Sequence, residues 1–380
     1  MVDTASQRGL ATATIYERMG LRTVINGAGA ATLVGGSLMR PETAAAMAEA
    51  TMAFVVMDEL NAKVGERIAE VTGAEAGLVT AGSWAAMALA AAACIAGTDP
   101  ERINRLPDST GMANEIVMHR SHRLHYDQAY RVGGAKIVEI GVPYATAPWE
   151  LERAITEYTA AVAWHDSRNT GPGTLPFETV VEIAHAKGVP VIVDAASTLP
   201  PVEHLKIWIR DGADLVIYSG GKGIRGPQDS GMLAGRADLI EAARLNGPPH
   251  AAVGRGMKVS KEAMVGLWDA IERFLATDHE ADLRVHQAQM ATLVAGLEGR
   301  GDCTFEVYDA WDQWPAPVVR IWASDKAWTP RAVHDAMLAG EPRIQINMER
   351  GGLMINAHCL QAGEDEIVIR RLLEEFDRGR

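Results

Sequence analysis

At 380 residues the chain is long enough for one large domain and a smaller one, and its 48 % hydrophobic and 22 % charged residues are ordinary for a soluble globular protein. A formal net charge of −13 with no run of clustered lysine and arginine argues against a nucleic-acid partner. No stretch approaches the roughly 20 apolar residues that cross a bilayer, and "MVDTASQRGLATATIYERMG" lacks the basic-then-apolar order of a secretory signal, so no membrane partner and a cytoplasmic location are expected.

Up to residue 75 the sequence reads as helical apart from the short apolar "RTVINGAGA". Strands are then predicted at "AGLVTA" (76–81), "EIVMHR" (115–120), "AKIVEIG" (135–141) and "TAAVAWH" (159–165). Three more follow at "VPVIVDAA" (189–196), "ADLVIYSG" (213–220) and "SGMLAGR" (230–236). Their near-continuous apolar character means burial on both faces, as in a mainly parallel sheet covered by helices. Helical stretches such as "SWAAMALAAAACIAG" and "PFETVVEIAHAKG" lie between most of them, several opening on proline and closing on glycine. The alternation predicts an α/β fold built on a seven-stranded sheet.

From about residue 258 the texture changes. A long charged amphipathic segment predicts two helices leading out of the sheet domain. Short strands ("PVVRIWAS", "RIQINMER", "GLMINAHCL") and helices ("TPRAVHDAMLAG", "DEIVIRRLLEEFDR") follow. The expected organisation is an N-terminal segment 1–40, a large α/β domain 41–258 and a small α+β domain 259–380. The three cysteines, Cys94, Cys303 and Cys359, are far apart and have no metal or redox spacing.

The most informative stretch is "YSGGKGIRGPQ" at 218–228, which sets Lys222 among glycines at the end of a buried strand. It is not a phosphate-binding P-loop, because Val216 stands five positions before Gly221 and Gly223 follows the lysine. "INGAGAAT" fails as a dinucleotide fingerprint, since Thr32 replaces the third glycine and no βαβ unit follows. A Schiff-base lysine for pyridoxal 5′-phosphate fits. A desolvated setting favours the uncharged, nucleophilic amine. That cofactor also needs a carboxylate to keep its pyridine nitrogen protonated. Asp194, ending the apolar "VPVIVDAAS", supplies it; alternatively it caps the helix that follows. An aspartate at the end of so apolar a strand is costly unless paired. The phosphate needs a cradle, and "VTAGSWAAMAL" runs from a strand through Gly82 and Ser83 into a helix whose free amides face an anion. Ser219 adds a hydroxyl.

In this order the segments resemble fold-type I pyridoxal-phosphate enzymes, and within these the branch that holds bacterial selenocysteine synthase and D-glucosaminate-6-phosphate ammonia-lyase. The stretches that carry the resemblance are "VINGAGAATLVGGSLM", "TAGSWAAM", "PVIVDAAS", "YSGGKGIRGPQDSG" and "GRGMKVSKEAM". The resemblance implies that Lys222 carries the cofactor, Asp194 meets its pyridine nitrogen, and Gly82, Ser83 and Ser219 hold its phosphate. It places His122, with His125 in reserve, where a ring stacks on the cofactor, and Ser167 and Asn169 near the ring hydroxyl. Arg255 and Lys258 in "GRGMK" are candidates for an anionic substrate group, in this subunit or a neighbour. His119, His122 and His125 are spaced by three, which is poor for joint zinc ligation from a strand end. Where relatives carry a carboxylate-binding arginine on a late strand, this chain has "LMINAHCL", with Asn356 and His358 but no arginine; Arg350 lies just ahead. The extra N-terminal tRNA-binding region of selenocysteine synthase is not expected in a chain of this length, nor is a tRNA substrate.

The implied activity is a lyase that performs α,β-elimination on a small hydroxy amino acid or amino sugar acid. Lys222 would act as the base at the α-carbon. A racemase or aldolase shares the same carbanion, and a non-catalytic cofactor-binding protein or a structural α/β protein with an incidental lysine are the readings of another class. A homodimer or larger homo-oligomer is expected from the resemblance.

Overall fold

The computed structural model describes residues 14–166, 173–309, 315–324 and 328–378. The chain forms two compact units, residues 36–278 and residues 1–35 with 279–380. The first is built on a seven-stranded sheet whose strands are β1 (Ala76–Thr80), β2 (Glu115–His119), β3 (Lys136–Ile140), β4 (Thr159–His165), β5 (Val191–Asp194), β6 (Leu215–Ser219) and β7 (Gly231–Gly235). Their spatial order is β1-β7-β6-β5-β4-β2-β3. From β6 to β3 every pairing is parallel, while β7 runs antiparallel to both β1 and β6.

The sheet is buried on both faces, which is why its strands read as continuous apolar runs. One face carries Val117, Val162, Val193 and Val216 against α2 (Met57–Thr72), α4 (Phe177–Ala186) and α6 (Lys261–Ala276). The other carries Ile116, Ala163, Ile192 and Ile217 against α3 (Gly82–Ala96) and α5 (Ala237–Asn246). The alanine-rich α3 is buried along almost its whole length. The open edge of β1 is capped by Asn61, whose side-chain amide donates to the Val79 carbonyl at 3.3 Å and accepts from the Val79 N–H at 2.9 Å. Such a cap blunts an edge that would otherwise invite another strand.

The division of the chain falls after Asp278, not at 258. Helix α6 belongs to the large unit because Met264, Leu267, Ile271 and Phe274 enter its core. Polar ties reinforce this, with Thr43 of α1 (Pro41–Ala50) donating to Asp269 at 2.6 Å and Arg67 pairing with Glu272 at 2.5 Å.

The second unit holds α7 (His279–Leu297), α8 (Pro330–Ala339), α9 (Glu364–Arg378) and a four-stranded antiparallel sheet. Its strands β8 (Cys303–Tyr308), β9 (Val318–Ala323), β10 (Asn347–Glu349) and β11 (Gly352–Asn356) lie in the order β10-β11-β9-β8. The N-terminal segment is not separate from it. Ile25 and Asn26 pair in parallel with Ile344 and Gln345, and Ala28 bridges Asn356. Among the described residues no helix is long and apolar enough to cross a membrane.

Candidate active site

Parallel strands bring their carboxyl ends to one edge of a sheet, and in open α/β sheets that edge is where ligands bind. Two register rows define it here. His165 of β4, Asp194 of β5 and Ile217 of β6 are aligned, as are Ser219 of β6, Gly231 of β7 and Thr80 of β1. The end of β4, the turns after β5 and β6 and the start of α3 therefore meet, although they are scattered along the sequence.

Lys222 lies in the loop between β6 and β7, half-buried, with Nζ donating to Ser197 Oγ at 2.9 Å. The loop is held from below by Ser37, whose hydroxyl donates to the Lys222 carbonyl at 2.7 Å. The neighbouring glycine is required by space, since a Cβ on Gly223 would stand 2.1 Å from the Leu199 carbonyl oxygen. Asp194 is 5 % exposed. One carboxylate oxygen accepts from the Ala196 N–H at 3.1 Å and the other lies 3.0 Å from His165 Nδ1. Burial acts to raise its pKa, but the His165 hydrogen bond and the nearby His165 and Lys222 charges outweigh it, so the carboxyl sits below the ordinary aspartate value.

Helix α3 begins through Gly82 in the left-handed region, φ +76°, and its N-cap, Ala81, offers no side chain to the first-turn amides. These uncapped N–H groups, at the positive end of a 15-residue helix, could hold an anion. Close approach is enforced, because a Cβ on Gly231 would lie 2.6 Å from the Gly82 carbonyl carbon. Ser83 and Ser219 are both partly exposed, and among the described residues neither hydroxyl has a partner. An amine, a buried carboxylate, an uncapped helix start and two available hydroxyls thus share one edge. This donor set fits pyridoxal 5′-phosphate.

Other expected residues fall differently. His122 does not present a face for stacking: it is 2 % exposed, Nδ1 accepts the His165 N–H at 3.1 Å, and Nε2 lies 3.2 Å from Thr174 Oγ1. Burial, then the neighbouring His119 and His165, push its pKa down to about 2. The short helical turn Arg120–His122 directs the ring inward, edge-on to Trp164 with centroids 4.7 Å apart. His119 is also buried, its pKa pushed down to about 4 mainly by desolvation. His125 is exposed beside Arg123 and Arg131. Ser167 and Asn169 lie outside the described residues. Arg255 and Lys258 are exposed and line a cavity at the β1 edge with Asp58, Asn61 and Thr80. In the small unit Arg350 is an exposed turn residue with φ +49°, and the Asn356 side chain accepts the His358 N–H at 2.8 Å. The strand arginine of this unit is Arg320, 3 % exposed and paired with Glu349 at 2.9 Å.

His165 and Ser197 were not anticipated. The signal for His165 was available: the last residue of a buried strand is a histidine, and the next strand in the sheet ends in Asp194. Ser197 stands three positions after Asp194, and only the turn that follows brings it to the lysine.

Comparison with known proteins adds an independent line. Residues 104–298 match the aminotransferase class-V family model. The chain is 36 % identical to the D-glucosaminate-6-phosphate ammonia lyase of Salmonella typhimurium, over 96 % of this chain and 98 % of that one. It is 33 % identical to a 5′-C-glycyluridine monooxygenase-decarboxylase from a Streptomyces species, over 94 % and 91 % respectively. A solved structure of D-glucosaminate-6-phosphate ammonia-lyase superimposes with a TM-score of 0.82 at 32 % identity, covering 97 % of this chain and 99 % of that one.

Proposed function

The chain belongs to the fold-type I pyridoxal-phosphate enzymes, in the branch of D-glucosaminate-6-phosphate ammonia-lyase and the selenocysteine synthases, and from that premise we propose that it eliminates ammonia from a small hydroxy amino acid or amino sugar acid. The observation that carries this reading is the convergence of Lys222, Asp194 and the uncapped start of α3 at one sheet edge, in a chain that matches the ammonia lyase along almost its entire length.

In this reading Lys222 Nζ would hold the cofactor and, when free, would act as the base that takes the proton from the substrate α-carbon. Asp194 keeps the ring nitrogen protonated. The amides of Gly82 and Ser83 and the Ser83 and Ser219 hydroxyls hold the phosphate, with Gly231 allowing the close approach. When bound, pyridoxal 5′-phosphate supplies a sink for the electron pair left at the α-carbon. Loss of the α-proton and the β-hydroxyl, followed by hydrolysis, yields a 2-oxo acid and ammonia. Ser197, 2.9 Å from Nζ, is placed to steady the amine while it is free. Arg255 and Lys258 are the large-unit candidates for an anionic substrate group, and Arg350 and His358 those of the small unit. Ser167 and Asn169 are assigned to the ring hydroxyl by resemblance alone.

The Streptomyces relative, named as a monooxygenase-decarboxylase, favours a second reading in which the α-carbanion is reached or used differently, as in an aldolase or racemase. A cytoplasmic homodimer or larger homo-oligomer is part of the proposal. It is supported by the apolar stretch 52–56, in which Met52 and Phe54 stand almost wholly in solvent; light scattering tests it.

The decisive experiment is absorbance spectroscopy with a panel of hydroxy amino acids and 2-amino sugar acids, D-glucosaminate 6-phosphate among them. The wild type is expected to bind the cofactor with visible absorbance and to release ammonia. Lys222→Ala is expected to lose both. An alanine variant that keeps both overturns the lysine assignment; turnover of the panel without ammonia release favours the second reading.

A further inference from the structure

We propose that His122 and His165 form a positioning pair that fixes the Asp194 carboxylate for the cofactor nitrogen, an inference resting on the reading of Asp194 given above. A buried aspartate at a strand end has two requirements if it is to hold a protonated ring nitrogen. It must stay ionised, and it must point in one direction.

His165 meets both. It is the register partner of Asp194 on the adjoining parallel strand, so the two side chains leave the same face of the sheet. An ionised carboxylate only accepts hydrogen bonds, so the 3.0 Å contact places the proton on His165 Nδ1. That N–H stabilises the charged form of a group only 5 % exposed and engages Oδ2, while the Ala196 amide engages Oδ1 at 3.1 Å. With one hydrogen bond on each oxygen, the carboxylate plane is set by the His165 ring and the Ala196 amide.

His165 is itself held. Its backbone N–H donates to His122 Nδ1 at 3.1 Å. His122 Nδ1 therefore carries no proton, and the Nε2 proton faces Thr174 Oγ1 at 3.2 Å, which lies 3.0 Å from Ser121 Oγ. The His122 ring is wedged against Trp164 at an interplanar angle of 89°. Both nitrogens engaged and 2 % exposed, it has no surface left to offer a ligand; what it holds is the end of β4. The next residue, Asp166, extends the ladder by donating its N–H to the Asp194 carbonyl at 3.0 Å, so β4 and β5 end as one rigid unit.

The test exploits a shape argument. An asparagine side-chain amide reaches about where a histidine Nδ1 stands, as a donor through its nitrogen or an acceptor through its oxygen, whereas leucine keeps bulk without either. Apo-protein is titrated with pyridoxal 5′-phosphate, reading the dissociation constant and the absorption maximum of the bound cofactor, with the apo melting temperature measured alongside. His165→Leu is expected to weaken binding about ten- to a hundredfold and to shift the absorption maximum, as loss of a hydrogen bond to a charged group behind a ligand does. His165→Asn is expected to stay within roughly threefold of wild type with an unshifted spectrum. His122→Leu should weaken binding in the same direction and His122→Asn should restore it. His165→Leu with wild-type affinity and spectrum overturns the proposal, as does His165→Asn failing as badly as leucine, since ring shape and not the Nδ1 proton would then matter. If the wild-type apo-protein takes up no cofactor, the functional reading falls and this one with it; wild-type binding with an indifferent His165→Leu sinks this one alone.

Discussion

Two histidine–aspartate pairs sit at opposite ends of the large sheet, and they are built for different ends. At the amino end of β6, Asp214 accepts from His185 Nε2 at 2.8 Å, from the Val191 N–H at 2.8 Å and from an Arg236 guanidinium nitrogen at 3.2 Å. Its backbone carbonyl takes the Arg236 N–H as well, at 2.9 Å. This acid ties α4, β5 and the segment after β7 together, its two oxygens accepting three hydrogen bonds. At the carboxyl end of β5, Asp194 has the same kind of histidine partner and one backbone amide, with Lys222 held by Ser197 instead of by the carboxylate. A carboxylate with spare acceptor capacity, buried and kept ionised, is unfavourable for stability alone. It is a reasonable arrangement for a group that awaits a cationic ring nitrogen. The more heavily bonded pair is a staple; in the proposed function the other would be a socket.

The largest expected effect tests the socket. Asp194→Asn keeps the shape and removes the charge, and turnover should fall on the order of a thousandfold while the protein stays folded; steady-state ammonia release checks it, and turnover near wild type would remove the distinction between the two ends. Asp214→Asn should do the reverse, costing about 3 kcal/mol of stability in chemical denaturation while the turnover of the folded enzyme is unchanged. Loss of turnover without loss of stability there would make the two acids functionally alike.

A further effect is in pH and concerns the histidines that flank the socket. In the native apo-protein His119 takes up a proton only near pH 4 and His122 only near pH 2, while an unfolded histidine titrates near pH 6.5. Below pH 6.5 the unfolded state therefore binds more protons, and stability falls as the pH falls. Down to pH 4 each histidine contributes roughly 1.4 kcal/mol per pH unit. The contribution of Asp194, whose native pKa is depressed, is lost separately, only as pH drops below its unfolded value of about 3.9. Urea midpoints at pH 6.5 and 4.5 should show the slope, and His122→Asn should remove about half of it.

What could be read beforehand follows from which forces act locally. The seven strands of the large sheet were visible to within a residue or two because burial on both faces leaves an unbroken apolar run. Lys222, Asp194, Gly82 and Ser83 were visible because each ends or follows such a run, where only polar residues and glycine break the pattern. Strand β8 was not foreseen: "CTFEVY" alternates with Thr304 and Glu306, and it lies at the sheet edge with much of its surface exposed. The boundary at 278 escaped notice because α6 looks like any amphipathic helix, and only tertiary packing decides which core it joins. The direction of His122 depends on a three-residue helical turn that no periodicity announces. Hydrogen bonds between neighbouring strands, such as the His165–Asp194 contact, need the sheet order before they can be seen.

Ser219 and Gly231 face one another across β6 and β7. The stretch that bears the lysine is consequently a closed noose, its two ends knotted into adjacent strands and its middle tethered by Ser37. These anchors hold the lysine's backbone beside the sheet edge. If Lys222 carries the cofactor as proposed, release and return would take place by rotation about its own side-chain bonds, and the amine would stay near the carbon it left.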